Sequence, residues 1–340
     1  MNPLDKVAAV TEYVLAHPYE RDYWEKAPAI TGILAGGDAS AIEAIREWID
    51  RAVETQTSNG DLNYAEALAL PAGHTKTFAP TSSLPSSLGY PLLRFYEATK
   101  DPAYLEAADR QIDALLRTPR TSEGGFWARK EGPELWTDFL YMICPFLLLY
   151  ARIKGRSELA DEAFRQYEVH TKHLVDREHG LTRHAWRETP NSYPSSTFWA
   201  RGNGWMVSCS VDMLDLNGKH PKAELVRETA VAALAAMAAK QDRSGFLRHV
   251  LDDPDEKFEA SGTLMFAYAA ARAVSLNLVD DSYIERAKRA LTVVAGSVEP
   301  SGAIPGVAVP PGGPGVPFGS CLFGQGFYLL AAEALRKYLG

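Results

Sequence analysis

Hydrophobic residues in this chain recur with the spacing of an α-helix and follow two alternating patterns. Segments with apolar residues at i, i+3 and i+4 and charged residues between them predict helices with one buried face. These segments lie at about residues 3–17, 40–56, 101–118, 157–175, 220–240 and 281–296. The segments between them are apolar on all sides, as expected of helices inside a protein, and lie at about residues 24–36, 86–99, 134–153, 199–217, 260–277 and 320–338. The pattern predicts six exposed helices that alternate with six buried ones.

Five of the amphipathic segments run into a turn that contains glycine. These glycines are Gly60, Gly125, Gly180, Gly245 and Gly302, which are 65, 55, 65 and 57 residues apart. So regular a period indicates an internal repeat. We therefore predict an all-α fold, an (α/α)6 toroid in which six helix hairpins close into a ring with short β-hairpins in the loops, as a single domain over residues 1–340. An open superhelix of helix pairs is the alternative, but the buried segments are rich in small residues, as a closed centre requires.

The loops between the hairpins are expected to gather at one end of this ring and to form a central funnel. The starts of the buried helices and the glycine turns should line it. Residues 305–317 are rich in proline and glycine, which excludes regular structure and predicts a long loop at the rim.

Composition and charge exclude several classes of protein. Apolar residues make up 46% of the chain and charged residues 23%, the balance of a soluble globular protein. No apolar run is long enough to span a membrane, and the first residues lack the pattern of a signal peptide. A net charge of −8 without a basic cluster argues against binding to nucleic acid. We expect a cytoplasmic protein, a monomer or a homodimer.

Cysteine and histidine spacing indicates neither a disulfide frame nor a metal site. Cys144, Cys209 and Cys321 are widely separated in apolar surroundings, as expected of reduced, buried thiols. His170 and His173 lie on an outer helix, where we expect them at the surface. No metal and no cofactor is expected.

One buried segment carries an acidic residue near its start. Residues 134–150 contain only two charged side chains, Glu134 and Asp138. Burying an unpaired carboxylate costs several kcal/mol, so a carboxylate in this apolar segment is expected to cap a helix, form an ion pair or have a function. A helix N-terminus also favours an anion. Asp138 is therefore either a helix-capping residue or a functional acid.

A second group of residues has the chemistry of a sugar-acid site. His184 precedes Ala185-Trp186, and Trp199, Arg201, Asn203 and Trp205 follow within one buried segment. Arginine presents a planar fork that suits a carboxylate, and tryptophan offers a flat face on which a sugar ring can stack. The same residues also fit a close crossing of two helices, so this pattern alone leaves both interpretations open.

Together these stretches resemble the signature sequences of glycoside hydrolase families 88 and 105, the unsaturated glucuronyl and rhamnogalacturonyl hydrolases. The resemblance rests on Glu134-Leu-Trp-Thr-Asp-Phe-Leu-Tyr-Met, His184-Ala-Trp and Trp199-Ala-Arg-Gly-Asn-Gly-Trp. Weaker similarity follows at residues 259–268 and 324–333, and the whole covers about residues 80–338. It implies an (α/α)6 barrel that removes a terminal 4,5-unsaturated uronic acid from the oligosaccharides that polysaccharide lyases produce.

The resemblance also implies a mechanism and a set of site residues. In such enzymes an aspartate protonates C4 of the double bond, water adds at C5, and the resulting hemiketal opens and releases the remaining sugar. The expected general acid/base is Asp138. The expected substrate-binding residues are His184, Trp199, Arg201, Asn203, Trp205, Trp136 and Trp127. The partner is an oligosaccharide with an anionic uronate end.

Two positions depart from the family pattern. Ala128 stands where the family often has histidine, and residues 81–89 lack the usual acidic residue. Asp61 or Glu259 could replace that acid. The departures leave two alternatives, namely a conventional glycosidase for a saturated uronoside, with Asp138 and Glu259 as its carboxylate pair, and a sugar-binding protein that has lost its catalytic set.

Overall fold

The computed structural model of the protein describes residues 2–17, 23–63, 79–310 and 315–340, and its helices form a closed ring. In chain order the helices are α1 (Val7–Ala16), α2 (Tyr23–Gly36), α3 (Ala39–Glu54), α4 (Gly89–Thr99), α5 (Pro102–Leu116), α6 (Asp138–Lys154), α7 (Ser157–Leu174), α8 (Ala200–Asn217), α9 (Ala223–Lys240), α10 (Ala260–Ser275), α11 (Ser282–Ala295) and α12 (Leu322–Leu339). The even-numbered helices are inner and the odd-numbered ones are outer. Each inner helix packs on the next, and α12 packs on α2. The predicted (α/α)6 architecture is confirmed, and the open superhelix is excluded.

Burial follows the pattern predicted from the sequence. In the outer helix α3, one face is buried through Ala41, Ile45, Trp48, Ile49 and Ala52. Their spacing is that of a helix with one apolar stripe. In the inner helix α8, by contrast, every residue from 200 to 214 is buried. The hydrophobic core therefore fills the centre of the ring and the layer between inner and outer helices.

The repeated turn glycines adopt positive φ angles that favour glycine. They are Gly60 (99°), Gly124 (92°), Gly180 (68°), Gly245 (108°) and Gly302 (87°). In the second turn, which contains both Gly124 and Gly125, the residue with this conformation is Gly124. A side chain at Gly245 would lie 2.7 Å from the carbonyl oxygen of Arg289 in α11, and one at Gly302 would meet the carbonyl oxygen of Ala9 in α1. The turn after one outer helix thus lies against the next outer helix, and the turn after α11 returns to α1.

Short strands connect the loops at the end of the ring where the inner helices begin. They are β1 (Glu134–Trp136), β2 (Val175–Asp176), β3 (Leu181–Thr182), β4 (Ala185–Arg187), β5 (Ser192–Ser195), β6 (Leu247–Arg248), β7 (Phe258–Glu259), β8 (Val307–Ala308) and β9 (Phe318–Gly319). β1, β4 and β5 form one sheet, and β2–β3, β6–β7 and β8–β9 form hairpins. The predicted β-hairpins in the loops are therefore present.

Two predicted helix boundaries are wrong. The buried segment expected at 134–153 begins as β1, because Glu134 pairs in register with Arg187 of β4 and its carboxylate is bound by the Arg187 guanidinium. The helix itself starts at Asp138. Similarly, residues 85–88 form a 3₁₀ turn, and α4 starts only at Gly89.

Two further expectations need correction. The proline- and glycine-rich run does contain regular structure, since Val309 donates its N–H to the carbonyl oxygen of Pro317 (2.9 Å) beside the β8–β9 hairpin; residues 311–314 lie outside the described part of the chain. His170 is fully buried, not at the surface. Its Nδ1 lies 2.8 Å from the carbonyl oxygen of Gln166, and burial lowers its pKa to about 4.

Cys144, Cys209 and Cys321 are buried thiols, as predicted. Among the described helices, none combines the length and apolar character needed to cross a membrane.

Candidate active site

The position of Asp138 is set by backbone contacts to a distant part of the chain. Asp138 is the first residue of α6. The preceding Thr137 donates its N–H to the carbonyl oxygen of His184 (3.0 Å) and its hydroxyl to that of Arg183 (2.9 Å). The start of α6 is therefore fixed beside His184 although 45 residues separate the two in sequence.

Asp138 and His184 face each other at the mouth of the ring. His184 Nε2 lies 3.1 Å from Asp138 Oδ2, and the two side chains are 12% and 18% exposed. The distance is that of an ion pair, yet neither atom makes a hydrogen bond of good geometry within the described residues. Nδ1 of His184 lies 3.3 Å from Ser195 Oγ. The two groups are thus in direct contact, and neither polar atom is used in a hydrogen bond with the described residues.

Two tryptophans flank the His184 ring. The ring centroids of Trp136 and Trp199 lie 5.5 Å and 4.8 Å from that of His184. Trp136 is held by its Nε1–H, which donates to Glu134 Oε2 (2.9 Å). Trp199 immediately precedes α8, and its indole N–H has no partner in the described residues. The Asp138–His184 pair therefore lies beside two aromatic rings. The buried indole N–H of Trp199 is a donor that no described residue uses.

Arg201 is sandwiched between two aromatic rings and keeps one edge of its guanidinium unpaired. Its Cζ lies 4.3 Å from the Trp199 ring centre and 4.7 Å from that of Phe323. Nη1 donates to the carbonyl oxygen of Ala308 (2.6 Å). Nε and Nη2 make no hydrogen bond with the described residues. Burial lowers the pKa of Arg201, and the carboxylate of Glu259 opposes that effect. The free Nε–Nη2 edge has the geometry for a two-point contact with a carboxylate.

Glu259, which the sequence offered as a second acid, is fully used within the protein. It caps α10, accepting hydrogen bonds from the N–H of Gly262 (2.6 Å) and the hydroxyl of Ser261 (2.6 Å). The N–H of Ala308 adds a third at 3.0 Å, and Arg201 Nη1 lies 3.7 Å away. A carboxylate with no exposed surface and this many donors holds the start of α10 and the β8–β9 hairpin together. The geometry therefore argues against a catalytic pair of Asp138 and Glu259.

The amide of Asn203, which the sequence analysis expects to bind substrate, makes its hydrogen bonds within the protein. Its Oδ1 accepts from the N–H of Thr182 (2.8 Å), and its Nδ2 donates to the carbonyl oxygens of Thr182 (3.1 Å) and Trp199 (3.0 Å). The residue is fully buried. Its physical role is to fasten β3 to the start of α8 and so to position Trp199.

The remaining predicted residues lie at different depths. Trp205 is fully buried, one helical turn beyond Arg201, with ring centroids 5.0 Å from Tyr141 and 5.4 Å from Phe327. It forms part of the floor of the funnel. Trp127 is half-buried and its carbonyl oxygen accepts from the Thr81 hydroxyl (2.5 Å), which places it beside the segment that lacks the family's acid. The described contacts do not join Trp127 to Asp138.

Asp61 lies close to that same segment. Asn59 Nδ2 donates to Asp61 Oδ2 (3.0 Å) and lies 3.4 Å from the Ser82 hydroxyl. The other carboxylate oxygen of Asp61 is buried without a hydrogen bond in the described residues. Of the two acids suggested as replacements, Asp61 is the one that keeps an unused oxygen.

Sequence reasoning missed three residues that belong to this funnel, namely Trp24, Glu25 and Phe323. Trp24 stacks on Phe323 with ring centroids 5.3 Å apart and an interplanar angle of 22°. Glu25 is 1% exposed and close enough to Arg201 to affect its pKa. All three lie at the starts of inner helices, the position that Asp138 occupies in α6. Aligning the repeats on the helix starts would have identified them.

Comparison with known proteins agrees with the geometry. The model of glycosyl hydrolase family 88 matches residues 7–338. The unsaturated rhamnogalacturonyl hydrolase YesR of Bacillus subtilis is 25% identical over 315 residues, which covers 88% of this chain and 84% of that protein. A crystal structure described as a possible member of glycoside hydrolase family 105, from Salmonella enterica, has a TM-score of 0.84 at 24% identity and covers 98% of this chain and 94% of its own. The unsaturated glucuronyl hydrolase of a Bacillus species has a TM-score of 0.75 at 17% identity, with 99% and 96% covered. Because the family model matches nearly the whole chain, the protein belongs to glycosyl hydrolase family 88 and is a glycoside hydrolase.

Proposed function

We propose that this enzyme removes a terminal 4,5-unsaturated uronic acid from oligosaccharides by hydration of the C4=C5 double bond, with Asp138 as general acid and base. The observation that carries the proposal is the proximity of one available carboxyl group to a free guanidinium edge. Asp138 lies 3.1 Å from His184, and the His184 ring and the Arg201 guanidinium both contact Trp199. Two relatives, an unsaturated rhamnogalacturonyl hydrolase and an unsaturated glucuronyl hydrolase, support the same substrate class.

Each chemical step can be assigned to these groups. The carboxyl of Asp138 donates its proton to C4, and water adds its oxygen at C5 while its proton returns to Asp138. The hemiketal formed at C5 opens to a ketone and turns C1 into an open-chain hemiacetal. That hemiacetal releases the remaining sugar. A single carboxyl group that gives and takes one proton completes the cycle.

The surrounding residues bind and orient. The free edge of Arg201 would hold the uronate carboxylate, and Trp136 and Trp199 would flank the sugar ring. His184, 3.1 Å from Asp138, would orient that carboxyl. Trp205 would form the aromatic floor of the site.

A conventional glycosidase needs two carboxyl groups on opposite sides of the glycosidic bond. Glu259 cannot serve as the second one, since three donors occupy its carboxylate. Hydration of an enol ether does not require that second group, and the site geometry fits it better.

The test is the loss of ultraviolet absorbance of the conjugated uronate on incubation with lyase digests of several polyuronides. The wild type should bleach at least one digest, and Asp138→Asn should lower kcat/KM by a factor of about 10² or more. Asp252→Asn, the same substitution at an exposed loop position, is the matched control and should retain full activity. A saturated 4-nitrophenyl uronoside should not be turned over.

Two results would overturn the proposal. Turnover of the saturated uronoside would point to conventional glycosidase chemistry. Equal activity of Asp138→Asn and the wild type would remove Asp138 from the reaction. If no digest is bleached yet one of them binds, the protein is a sugar-binding relative without this activity.

A further inference from the structure

The hairpins β6–β7 and β8–β9 form one wall of the funnel mouth, and the first of them is fastened to the start of α8. The N–H of Ala200, next to Trp199, donates to the carbonyl oxygen of His249 (2.9 Å), and the N–H of His249 donates to that of Lys257 (2.8 Å). Trp199 itself forms a β-bridge with Val250. The backbone of Lys257 is therefore two hydrogen bonds away from the helix that carries Arg201.

The second hairpin is fastened to the same site through Arg201. Ala308 of β8 accepts from Arg201 Nη1 through its carbonyl oxygen (2.6 Å), and its N–H donates to Glu259 (3.0 Å). Phe318 of β9 lies directly opposite Ala308 in the strand register, and the Cα atoms of such a pair are about 5 Å apart. Phe318 is thus one strand away from the residue that holds the guanidinium.

A row of rings leads along this wall from the buried site to the surface. The ring centroid of His249 lies 6.3 Å from that of Trp199 and 5.4 Å from that of Phe318. Trp199 and His249 are each 1% exposed, and Phe318 is half-buried. The row ends at the exposed Lys257, whose Nζ lies 5.5 Å from the centre of the Phe318 ring. Exposure increases along the row, so it runs outward toward the mouth.

The ammonium group of Lys257 has no acidic partner in the described part of the chain. The loop between β6 and β7 carries four acidic residues within residues 252–256, yet none of them forms an ion pair with Lys257. Glu256 accepts instead from the backbone N–H of Lys257 (2.9 Å), and the ammonium group lies over Phe318. An aromatic face attracts a cation. The ring of Phe318 thus holds an unpaired cation on the wall that leads to Arg201.

We infer that Lys257 binds an acidic group in the part of the oligosaccharide that is released, and that Phe318 positions Lys257 for this contact. The inference rests on the proposed function, because it places the terminal uronate at the free edge of Arg201. The rest of the substrate then leaves the site toward the mouth, where Lys257 lies. An exposed ammonium group adds affinity for an anion that reaches it and none for a neutral sugar.

The charge of the whole protein makes such a local cation useful. The chain carries a net charge of −8, so its overall field repels an acidic oligosaccharide, and attraction must come from cations at the site. Arg201 can compensate one acidic group and Lys257 a second. The substrate class is therefore an oligosaccharide with a further acidic residue beyond the unsaturated uronate.

Two probes of equal length separate charge from shape. α-1,4-Linked trigalacturonate has a carboxylate on every ring, and its fully methyl-esterified form has the same rings and linkages without those charges. Both lack the double bond, and calorimetry measures their binding to the wild type and to Asp138→Asn without the hydration reaction. We expect the acid to bind more tightly than the ester in both proteins, and the difference to shrink as salt is added.

Substitutions at Lys257 test its charge. Lys257→Gln should weaken trigalacturonate binding about threefold, and Lys257→Glu about tenfold because it adds repulsion, while the ester should bind to both as it binds to the wild type. On a lyase digest that responds, Lys257→Gln should raise KM about threefold at unchanged kcat, because the contact is equal in substrate and transition state. Lys219→Gln is the matched control, since it removes the same charge from an exposed position in the turn after α8, at the opposite end of the ring.

A double-mutant cycle tests the positioning role of Phe318. Phe318→Leu removes the ring but stays apolar, and it should weaken trigalacturonate binding about twofold when Lys257 is present. In the Lys257→Gln background the same substitution should have no effect, because its influence passes through the ammonium group. An equal loss in both backgrounds would refute the positioning role.

The role of Lys257 is refuted if Lys257→Gln and Lys257→Glu both bind trigalacturonate like the wild type, or if the acid binds no more tightly than the ester at low salt. Equal weakening of acid and ester would also refute it, because the residue would then act through packing and not through charge. Failure of the proposed reaction gives a different result, in which no digest is bleached while trigalacturonate binding still depends on Lys257.

Discussion

The buried carboxyl group of Asp212 makes the stability of this protein depend on pH in a predictable direction. Burial raises the pKa of Asp212 from its ordinary value of 3.8 to about 7, and the hydrogen bond from Tyr268 and the charge of Arg272 offset only part of that effect. Asp215 adds a smaller upward contribution. Folding therefore favours the protonated form of this residue.

The sign follows from proton binding. The unfolded chain loses the proton near its ordinary pKa, whereas the folded chain keeps it up to about pH 7, so stability falls as pH rises from about 4 to about 7 and is constant above that. A shift of about three pH units corresponds to about 4 kcal/mol. Asp212→Asn can still accept the Tyr268 hydrogen bond and has no proton to lose. The free energy of unfolding of Asp212→Asn relative to wild type should rise by about 2 kcal/mol between pH 5 and pH 7.

Urea unfolding curves at several pH values between 5 and 8, followed by far-ultraviolet circular dichroism, would measure this difference. Asp252→Asn removes the same charge from an exposed position and should give a pH profile parallel to that of the wild type. If the profile of Asp212→Asn is also parallel to the wild type, the carboxyl group is not protonated in the folded protein and the reasoning fails.

Three other variants test the site and the scaffold. His184→Gln should lower kcat/KM on the responsive lyase digest by about 10² without changing the unfolding midpoint, because its proposed role is to orient the carboxyl of Asp138; an unchanged rate would assign it to packing alone. Asn203→Ala should cost about 1–3 kcal/mol in urea unfolding, because it leaves the buried N–H of Thr182 unpaired. Gly302→Ala should lower stability by more than about 1 kcal/mol, because φ is positive and a side chain meets α1. Gly36→Ala, where a side chain meets nothing within 4 Å, is its control and should be neutral or slightly stabilising.

The architecture was predictable because its signals are local and repeated. Helical periodicity, the alternation of exposed and buried segments and the recurring turn glycines each depend on residues close in sequence. The grouping of Asp138, His184, Trp199 and Arg201 was predictable for a different reason, since the resemblance to known hydrolases carried it.

What could not be predicted depends on contacts between distant residues. Arg201 donates to Ala308, 107 residues away, and that contact decides which edge of the guanidinium stays free. The start of α6 was misplaced because Glu134 pairs with Arg187, 53 residues later, which makes a strand of a stretch whose composition is that of a buried helix. Asn203 was predicted to contact a ligand because it lies among residues with the same predicted role, but its amide is directed toward the backbone of another loop.

The first and last described segments of the chain meet where the ring closes. This contact has a consequence for the order in which the hairpins follow one another along the chain. Asn2 Nδ2 donates to the carbonyl oxygen of Leu339 (3.5 Å), and the hydroxyl of Tyr328 donates to that of Pro3 (2.7 Å). A short linker between these ends, with a new opening in the turn at residues 218–222, would yield a circular permutant that keeps every contact between inner helices. Such a protein would begin at a different hairpin of the same ring. The covalent order of the six hairpins is therefore separable from their arrangement in space.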